Sequence, residues 1–484
     1  MHLGIDLGTS AVKSVLTGDD GALLAQASAP VATHNPAPLH SEQDPEDWWQ
    51  AVTASLATLA RDHDLRRVRA IGLSGQMHGA VLLDHASHVL RPAILWNDGR
   101  SSAECEALDS LARRATGNPA LLGFTAPHLL WVRRHEPAVF DRIARVLLPK
   151  DWLRLRMTGE SLTDMSDAAG TLWLDVGARA WSPAMLAATG LVVAQMPGLV
   201  EGTDVAGRLR PAIAEAWGLT PGIPVAGGAG DQAAGAAAVG CVRPGESFVS
   251  LGTSAVLFVA DAGFLPDPDH AVHAFCHCLP ATWHRMTVSL SGASALAWVT
   301  RATGAADEAT LLAEMEASTA DPPVFLPHLT GERTPHNDPH AAAAFVGLRS
   351  THRRGDLCRA VVEGVGFGVA GAVGLLAARG APVGPITAIS GGSRSAAWMR
   401  ILAAATGVPI QTVAGSEVGS ALGAARLARV AAGDGGIDDV FRPLPVTALH
   451  VPDPALREAM APRQAVHGRL YDALRLLRPE KAGE

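Results

Sequence analysis

The stretch Leu3-Gly4-Ile5-Asp6-Leu7-Gly8-Thr9-Ser10-Ala11-Val12 opens the chain, and its last six residues return letter for letter at Leu251-Gly252-Thr253-Ser254-Ala255-Val256. Each copy follows an apolar stretch and passes through Gly-Thr-Ser into alternating apolar residues, which is typical of a β-hairpin with glycine at the bend. An internal repeat indicates two halves built on one plan. Each hairpin tip offers backbone N–H groups and two hydroxyls, so two facing tips predict a clamp for a polyphosphate.

The repeat extends beyond the hairpins. An apolar strand at residues 68–73 ends in Ser74-Gly75-Gln76, and another at 386–389 ends in Ser390-Gly391-Gly392. Because strands alternate with helices, we expect an α/β fold of three layers. We place the two predicted domains at residues 1–243 and 244–484, with a long amphipathic helix near 356–378 in the second.

A further helix is well marked in the first half. Asp44 is a good N-cap, Pro45 suits the first helical position, and acidic residues follow in the first turn. Helical spacing then predicts a buried stripe of apolar side chains, formed by Trp49, Val52, Leu56 and Leu59. A short strand is expected at residues 93–96.

Composition excludes several classes of protein. The 484 residues carry a formal net charge of -8 with no block of Lys and Arg, which argues against nucleic acid or an anionic membrane as partner. Five scattered cysteines fit a reducing compartment. No secretion signal is evident, and the apolar run 367–378 is too short and too glycine-rich to span a bilayer. We therefore expect a cytoplasmic protein.

One group of residues suggests a metal site at first sight. His273, Cys276, His277 and Cys278 lie close together, but the second half of a four-ligand zinc site is missing. The segment also alternates like a strand, and we interpret it as one.

Two aspartates are candidates for chemistry. Asp6 lies inside an apolar strand beside the first hairpin tip, where a carboxylate needs a cation or donors, so we expect it to hold Mg²⁺ near the phosphates. Asp231 follows the small-residue turn 227–230 and opens a helix. We interpret that turn as room for a ligand, with Asp231 accepting the proton of a hydroxyl that attacks a γ-phosphorus. An ordinary helix N-cap is the alternative.

Met77 and His78 follow one candidate strand, and Trp96 and Asp98 follow the next. A flat apolar ring beside hydrogen-bonding groups suits a small polyol or sugar, although a lone His or Trp is often structural.

With these residues in place, the sequence resembles the FGGY family of carbohydrate kinases along its whole length, and most of all the members that act on D-xylulose. Besides the two hairpins, the stretches that carry this resemblance are 41–45, 75–79, 94–100, 123–127, 148–151, 166–170, 227–231, 331–337 and 391–392.

The resemblance implies two actin-like, ribonuclease-H-like domains separated by a cleft, ATP-dependent phosphorylation of D-xylulose at its 5-hydroxyl, and a homodimer. Asp231 matches the catalytic base and Asp6 the position near Mg²⁺. The ketose-binding positions correspond to Met77, His78, Trp96, Asp98, Asp231 and Gln232. The phosphate-binding positions correspond to Gly8, Thr9, Ser10, Lys13, Gly252 and Thr253, and the adenosine-binding positions to Gly391, Gly392 and Ser393.

This chain departs from the family pattern at His128, Ala229, Gln232 and Ser390, where Lys, Gly, Asn and Gly are usual. Two alternatives stay open. A sister kinase would act on ribulose, fuculose, gluconate or glycerol, although Met77-His78 disfavours glycerol because that subfamily has Arg-Glu there. A non-catalytic actin-like ATPase module would share the hairpins and lack the sugar pocket.

Overall fold

A computed structural model describes residues 1–380 and 383–478; the end of the second predicted domain, residues 479–484, lies outside the described residues. The strands of the first half are β1 (His2–Leu7), β2 (Ala11–Thr17), β3 (Leu23–Pro30), β4 (Glu42–Gln43), β5 (Ile71–Gly75), β6 (Val81–Leu83), β7 (Ala93–Ile94), β8 (Arg145–Leu147), β9 (Leu162–Asp164), β10 (Leu174–Asp175), β11 (Ala180–Trp181), β12 (Gly198–Val200), β13 (Val205–Arg208), β14 (Pro224–Ala226) and β15 (Ala229–Gly230). Its helices are α1 (Pro45–Leu59), α2 (Ser102–Thr116), α3 (Thr125–His135), α4 (Pro137–Phe140), α5 (Pro149–Thr158), α6 (Met165–Ala169), α7 (Pro183–Thr189), α8 (Pro211–Trp217) and α9 (Asp231–Val239).

The strands of the second half are β16 (Ser247–Leu251), β17 (Ala255–Asp261), β18 (His273–Cys276), β19 (Trp283–Ser289), β20 (Val324–Leu326), β21 (Ala344–Val346), β22 (Ile386–Ile389), β23 (Ile410–Val413) and β24 (Val446–His450). Its helices are α10 (Ala293–Ala302), α11 (Glu308–Ala317), α12 (Arg354–Ala378), α13 (Ala396–Thr406), α14 (Ser420–Ala431), α15 (Ile437–Val440) and α16 (Pro454–Leu476).

The two large sheets repeat one topology. The first runs β3-β2-β1-β5-β14, and the second runs β19-β17-β16-β22-β23, each with further strands at its edges. In both, an antiparallel hairpin is followed by a strand parallel to its first member, namely β5 beside β1 and β22 beside β16. Helices pack on these sheets. The predicted pair of actin-like α/β domains is therefore confirmed.

The parallel pairing brings three strand ends together at one edge of the first sheet. Strand β5 lies between β1 and β15, with Asp6 and Ala229 both in register with Ser74. Asp231 follows β15 directly and begins α9. Because parallel strands end at the same edge, the residues after β1, β5 and β15 share one site.

A helix from the second half covers the first sheet. Helix α14 packs against β1, β5 and α9. The approach is close enough that a Cβ at Gly4 or Gly72 would overlap carbonyl oxygens of α14, and a Cβ at Gly423 would overlap the backbone of Ala234 in α9. The absence of side-chain atoms at these glycines is therefore a packing requirement. The contact joins the two halves of the chain.

Two details differ from the sequence-based expectations, and a third agrees with them. In α1 the fully buried aromatic residue is Trp48, whereas Trp49 is partly exposed and packs against Trp217 with ring centroids 4.7 Å apart. Of the strand expected at 93–96, only Ala93–Ile94 form a strand, β7, which pairs with β4 outside the large sheet. Segment 273–276 is strand β18, as expected.

Helix α12 is longer than the apolar run noted in the sequence. Its 25 residues are long and apolar enough to cross a membrane by length and composition, which corrects the expectation that this run is too short. However, 61% of its most apolar window is buried inside the protein, and it packs against α11, α13 and β20. It is the central helix of the second domain's core, and core helices of soluble proteins meet the same criterion.

Replacing Gly423 with alanine tests the packing of α14. We expect Gly423→Ala to lower the free energy of unfolding by about 1–3 kcal/mol, since the methyl group would overlap backbone that cannot rotate away. The matched control is Gly374→Ala in α12, where a Cβ meets no atom within 4 Å and should stabilise the helix by about 0.5–1 kcal/mol. Urea titration of both variants measures the difference, and equal stabilities would contradict the packing argument.

Candidate active site

Asp6 and Asp231 lie at the shared edge of β1, β5 and β15. The Ser74 hydroxyl donates a hydrogen bond of 2.9 Å to Asp6 Oδ1. Burial raises the pKa of Asp6 above its ordinary value. For Asp231, burial and then the negative charge of Asp6 raise the pKa to about 7. Two carboxylates thus occupy one site, and one of them titrates near neutrality.

The turn at 227–230 packs against protein rather than leaving room for a ligand. A Cβ at Gly228 would overlap the carbonyl oxygen of Leu73, and one at Gly230 would lie 2.8 Å from Met77 Cγ. Gly228 also has a φ of +79°, which favours glycine. Our interpretation of these small residues as space for a ligand was therefore wrong. They let Asp231 approach β5 closely.

The alternative interpretation of Asp231 as a capping residue also fails. Gly230 holds the N-cap position of α9, and Asp231 is the first helical residue.

The first hairpin tip is held by side chains distant in sequence. Thr9 Oγ1 donates to Gln76 Oε1 at 3.0 Å and accepts from Trp96 Nε1 at 2.9 Å. Gln43 Nε2 donates to the Thr9 carbonyl oxygen at 2.6 Å. Gln43 and Gln76 are site residues to which our sequence reasoning gave no role, although both lie in stretches that carry the family resemblance. Ser10 beside them is exposed.

Lys13 connects this hairpin to the second half. It lies in register with Asp6 on the neighbouring strand β2. Its Nζ donates to the carbonyl oxygens of Glu417 at 3.1 Å and Val418 at 3.5 Å. The ammonium group therefore lies where the two halves meet.

The second hairpin tip faces the turn after β22. Thr253 is exposed, and the space around Gly252 is open. The hydroxyls of Ser250 and Ser390 hydrogen-bond to each other at 2.9 Å, joining the tip to that turn. Gly391 and Gly392 lie in a short 3-10 turn, and the Ser393 hydroxyl donates to the Ser390 carbonyl oxygen at 2.7 Å.

His78 is fixed in one tautomer. Its Nδ1 lies 2.7 Å from the Gly170 carbonyl oxygen, which can only accept, so Nδ1 carries the proton and Nε2 is an acceptor. Burial lowers the pKa of His78 to about 3, so the ring is neutral at physiological pH. The ring stacks on Phe124 with centroids 4.4 Å apart, and Met77 beside it is buried.

The second half supplies a wall of the site around His78, formed by His273 and Phe275, which sequence reasoning missed. His273 and Phe275 of β18 lie near Phe124, with ring centroids 5.6 Å and 6.2 Å from it. Phe275 also lies 6.5 Å from His78. The only sequence signal was the strand pattern at 273–276, which does not reveal its neighbours.

Trp96 and Asp98 differ in their surroundings. Trp96 is 44% exposed and uses its indole N–H on Thr9. The Asp98 carboxylate is buried and accepts hydrogen bonds from Ser41 N, Arg100 N and the Arg100 guanidinium, at 2.6 to 3.0 Å. Burial alone would raise the pKa of Asp98, but these donors outweigh it and hold the pKa below the usual value. Gln232 follows Asp231 at the start of α9 and is half-buried.

The comparisons with known proteins agree along the chain. Residues 1–240 match the N-terminal domain of the FGGY family of carbohydrate kinases, and residues 248–432 match its C-terminal domain. The chain is 48% identical over 480 residues to the xylulose kinase of Escherichia coli, covering 98% of this chain and 99% of that protein. It is 37% identical over 441 residues to that of Bacillus subtilis, covering 89% and 88%.

A solved structure of a xyloylose kinase from Brucella ovis superposes with a TM-score of 0.96 at 46% identity, covering 99% of this chain and 100% of that one. The chain therefore belongs to the FGGY family of carbohydrate kinases, which confirms the resemblance found in the sequence. The chain is therefore a carbohydrate kinase, and a kinase of this family implies ATP as the phosphoryl donor.

Asp98 offers a test of whether a buried carboxylate in this region is structural. Because its pKa is depressed, its stabilising effect is present above the unfolded pKa of about 4 and disappears as the pH falls through the lower folded pKa. We expect Asp98→Asn to lower the free energy of unfolding by about 3 kcal/mol at pH 7, and by less at pH 3. Urea titrations at both pH values measure this. A raised KM for sugar at unchanged stability would contradict a structural role.

Proposed function

We propose that this chain is an ATP-dependent kinase that phosphorylates D-xylulose at its 5-hydroxyl. Its relatives from Escherichia coli and Bacillus subtilis are xylulose kinases and match nearly the whole chain. The structural observation that carries the proposal is the pair Asp6 and Asp231, placed at the shared edge of β1, β5 and β15 beside the first hairpin tip.

Asp231 is the proposed general base. A base works best when its pKa lies near the working pH, and that of Asp231 is raised to about 7. As the sugar oxygen forms its bond to the γ-phosphorus, the bond from that phosphorus to the bridging oxygen of ADP breaks. The hydroxyl proton passes to the carboxylate. Positioning and charge stabilisation supply most of the remaining catalysis of phosphoryl transfer.

The two hairpin tips are the proposed phosphate clamp. In the first domain, Thr9 and Ser10 supply backbone N–H groups and hydroxyls at the turn opened by Gly8, whose own N–H donates to the Ala11 carbonyl oxygen. In the second domain, Gly252 and Thr253 are the corresponding residues. Thr9 already uses its hydroxyl proton on Gln76, so its backbone is the more available donor. The ammonium group of Lys13 adds positive charge beside this clamp. The turn formed by Gly391, Gly392 and Ser393 is the proposed adenosine contact.

Mg²⁺ fits the donor set at Asp6. The pKa of Asp6 is raised by burial, and its charge in turn raises that of Asp231, so the site gains from a nearby cation. Within residues 1–380 and 383–478 no group of three or more protein ligands stands ready for a metal. Mg²⁺ commonly takes one or two carboxylates and completes its shell with phosphate oxygens and water. When bound, it would neutralise charge on the transferring phosphates.

The sugar site is proposed on the first domain. His78 would accept a hydrogen bond from a sugar hydroxyl through Nε2, because its Nδ1 is occupied by Gly170. Met77, Trp96 and Gln232 would complete the pocket with Asp231. Asp98 acts there chiefly by holding Arg100 and the backbone of Ser41. The proposal also includes a domain boundary after residue 243 and a cytoplasmic location. It includes a homodimer and no nucleic-acid or membrane partner.

An assay of purified protein against a panel of ketoses and polyols, with ADP release coupled to a detectable signal, tests the substrate. We expect D-xylulose to give the highest kcat/KM. A higher value for ribulose, fuculose, gluconate or glycerol would assign a sister kinase. ADP release that is independent of sugar would assign the actin-like ATPase module instead.

The base is tested by Asp231→Asn. We expect folding and sugar binding to be retained while kcat falls by about 10²–10⁴-fold, since the amide cannot accept the proton. Asp438→Asn is the control, because that side chain is exposed and pairs with Arg243 on the surface. Sugar-dependent ADP release at the parent rate by the Asp231 variant would exclude it as the base.

The dependence of kcat/KM on pH gives a second test of Asp231. A base must be deprotonated to act, so we expect kcat/KM to fall tenfold per pH unit below about 7, the pKa of the free enzyme's Asp231. The measurement is a series of initial rates from pH 5 to 8 at saturating ATP. A profile that stays flat down to pH 5 would contradict the raised pKa.

A further inference from the structure

Five charged side chains lie in the interior of the first domain, away from the cleft residues assigned above. All are fully buried, and they belong to α5, β9 and α6; they are Lys150, Asp151, Arg154, Asp164 and Asp167. We refer to them as the buried charge cluster. Burying charges is costly unless they are paired, and a cluster of this size is not needed for a stable core.

Lys150 is the centre of the cluster. Its Nζ lies 2.6 Å from Asp151 Oδ1, 2.8 Å from Asp164 Oδ1 and 3.1 Å from Asp167 Oδ2. Burial alone would lower the pKa of Lys150, but the three carboxylates raise it, so the ammonium stays charged. Burial raises the pKa of Asp167 well above its ordinary value, and the nearby Lys150 opposes that shift.

The cluster binds both ends of the turn before Asp231. At the first end, Arg154 is held by Asp151 at 2.7 Å and donates from Nη2 to the carbonyl oxygen of Gly227. At the other end, the Gly230 N–H donates to Ser166 Oγ at 3.1 Å, and that hydroxyl donates to Asp164 Oδ2. Lys150 joins the two paths because it contacts both Asp151 and Asp164.

A turn of small residues needs such support. Gly227, Gly228 and Gly230 have no side chains to anchor them, and glycine backbone is the most mobile when it is not held. An error of about 1 Å in the place of a catalytic group can cost about 10²-fold in rate. Hydrogen bonds from buried ionic groups are stronger than neutral ones and hold their partners in one geometry.

We propose that the buried charge cluster is a positioning device for Asp231, which acts through Arg154 on Gly227 and through Ser166 on Gly230. This inference rests on the proposed role of Asp231 as the base. The five charged residues and Ser166 touch neither substrate in this scheme. They set the place and orientation of the backbone from which the Asp231 carboxylate projects.

The sharpest variant is Ser166→Ala. It removes one hydroxyl and the link from Gly230 to Asp164, and it leaves every charge of the cluster in place. The matched control is Thr163→Val, which changes the residue beside Asp164. It removes a buried hydroxyl that makes no hydrogen bond among the described residues. Both variants thus lose one buried oxygen in the same region, but only one of them loosens the turn.

Steady-state kinetics and hydrogen exchange measure the effect. For Ser166→Ala we expect kcat to fall about 10–100-fold with the KM for sugar within about twofold of the parent, since binding does not require the exact place of the base. Hydrogen exchange followed by mass spectrometry should show faster exchange in peptides covering residues 227–234. Thr163→Val should match the parent in both measurements.

The outcomes separate this inference from the proposed function. A Ser166→Ala enzyme that matches Thr163→Val in kcat and exchange overturns it, and so does an equal loss of kcat in both variants. If Ser166→Ala does not fold, Asp164→Asn replaces it with the same measurements and the same criteria. If the parent phosphorylates no sugar, or if Asp231→Asn keeps the parent rate, it is the proposed function that fails.

Discussion

The close contact of α14 with the first sheet is the constraint on which the molecule depends. Glycines at positions 4, 72 and 423 let backbone meet backbone without intervening side chains. The same helix starts with Ser420, whose hydroxyl donates to the Asp231 carbonyl oxygen at 2.8 Å. Residues just before it accept hydrogen bonds from Lys13. One segment of the second half therefore contacts the strand ends, the candidate base and Lys13, which lies in register with Asp6 on the neighbouring strand β2.

Around this contact, the two halves divide the work. The first half carries both candidate carboxylates and the histidine with a free Nε2, and the second half carries the exposed second hairpin tip and the turn after β22. Wall residues of the second half, His273 and Phe275, reach back to Phe124 of the first. A kinase must bring a sugar and a nucleotide together and exclude water, and the sites proposed above place each ligand on a different half of the chain.

The sequence predicted best what is local or repeated. The hairpins, the strand at 386–389 and the helix capped by Asp44 follow from patterns within about fifteen residues, and the repeat revealed the shared topology. Contacts between distant segments were not predictable. Gln43 holds Thr9 from 34 residues away, and the buried charge cluster gathers side chains from three elements. The adjacent Trp48 and Trp49 show the same limit, because neighbours on a helix differ by about 100° and either could face the core.

The origin of α14 also bears on how the protein is made. Translation releases β1 and β5 within the first 75 residues, but the helix that covers them begins only at residue 420. Until the ribosome has passed that point, the face of the nascent first sheet that carries Gly4 and Gly72 lacks the helix that covers it in the folded protein. A gene truncated after the first half would encode that face without the helix that covers it.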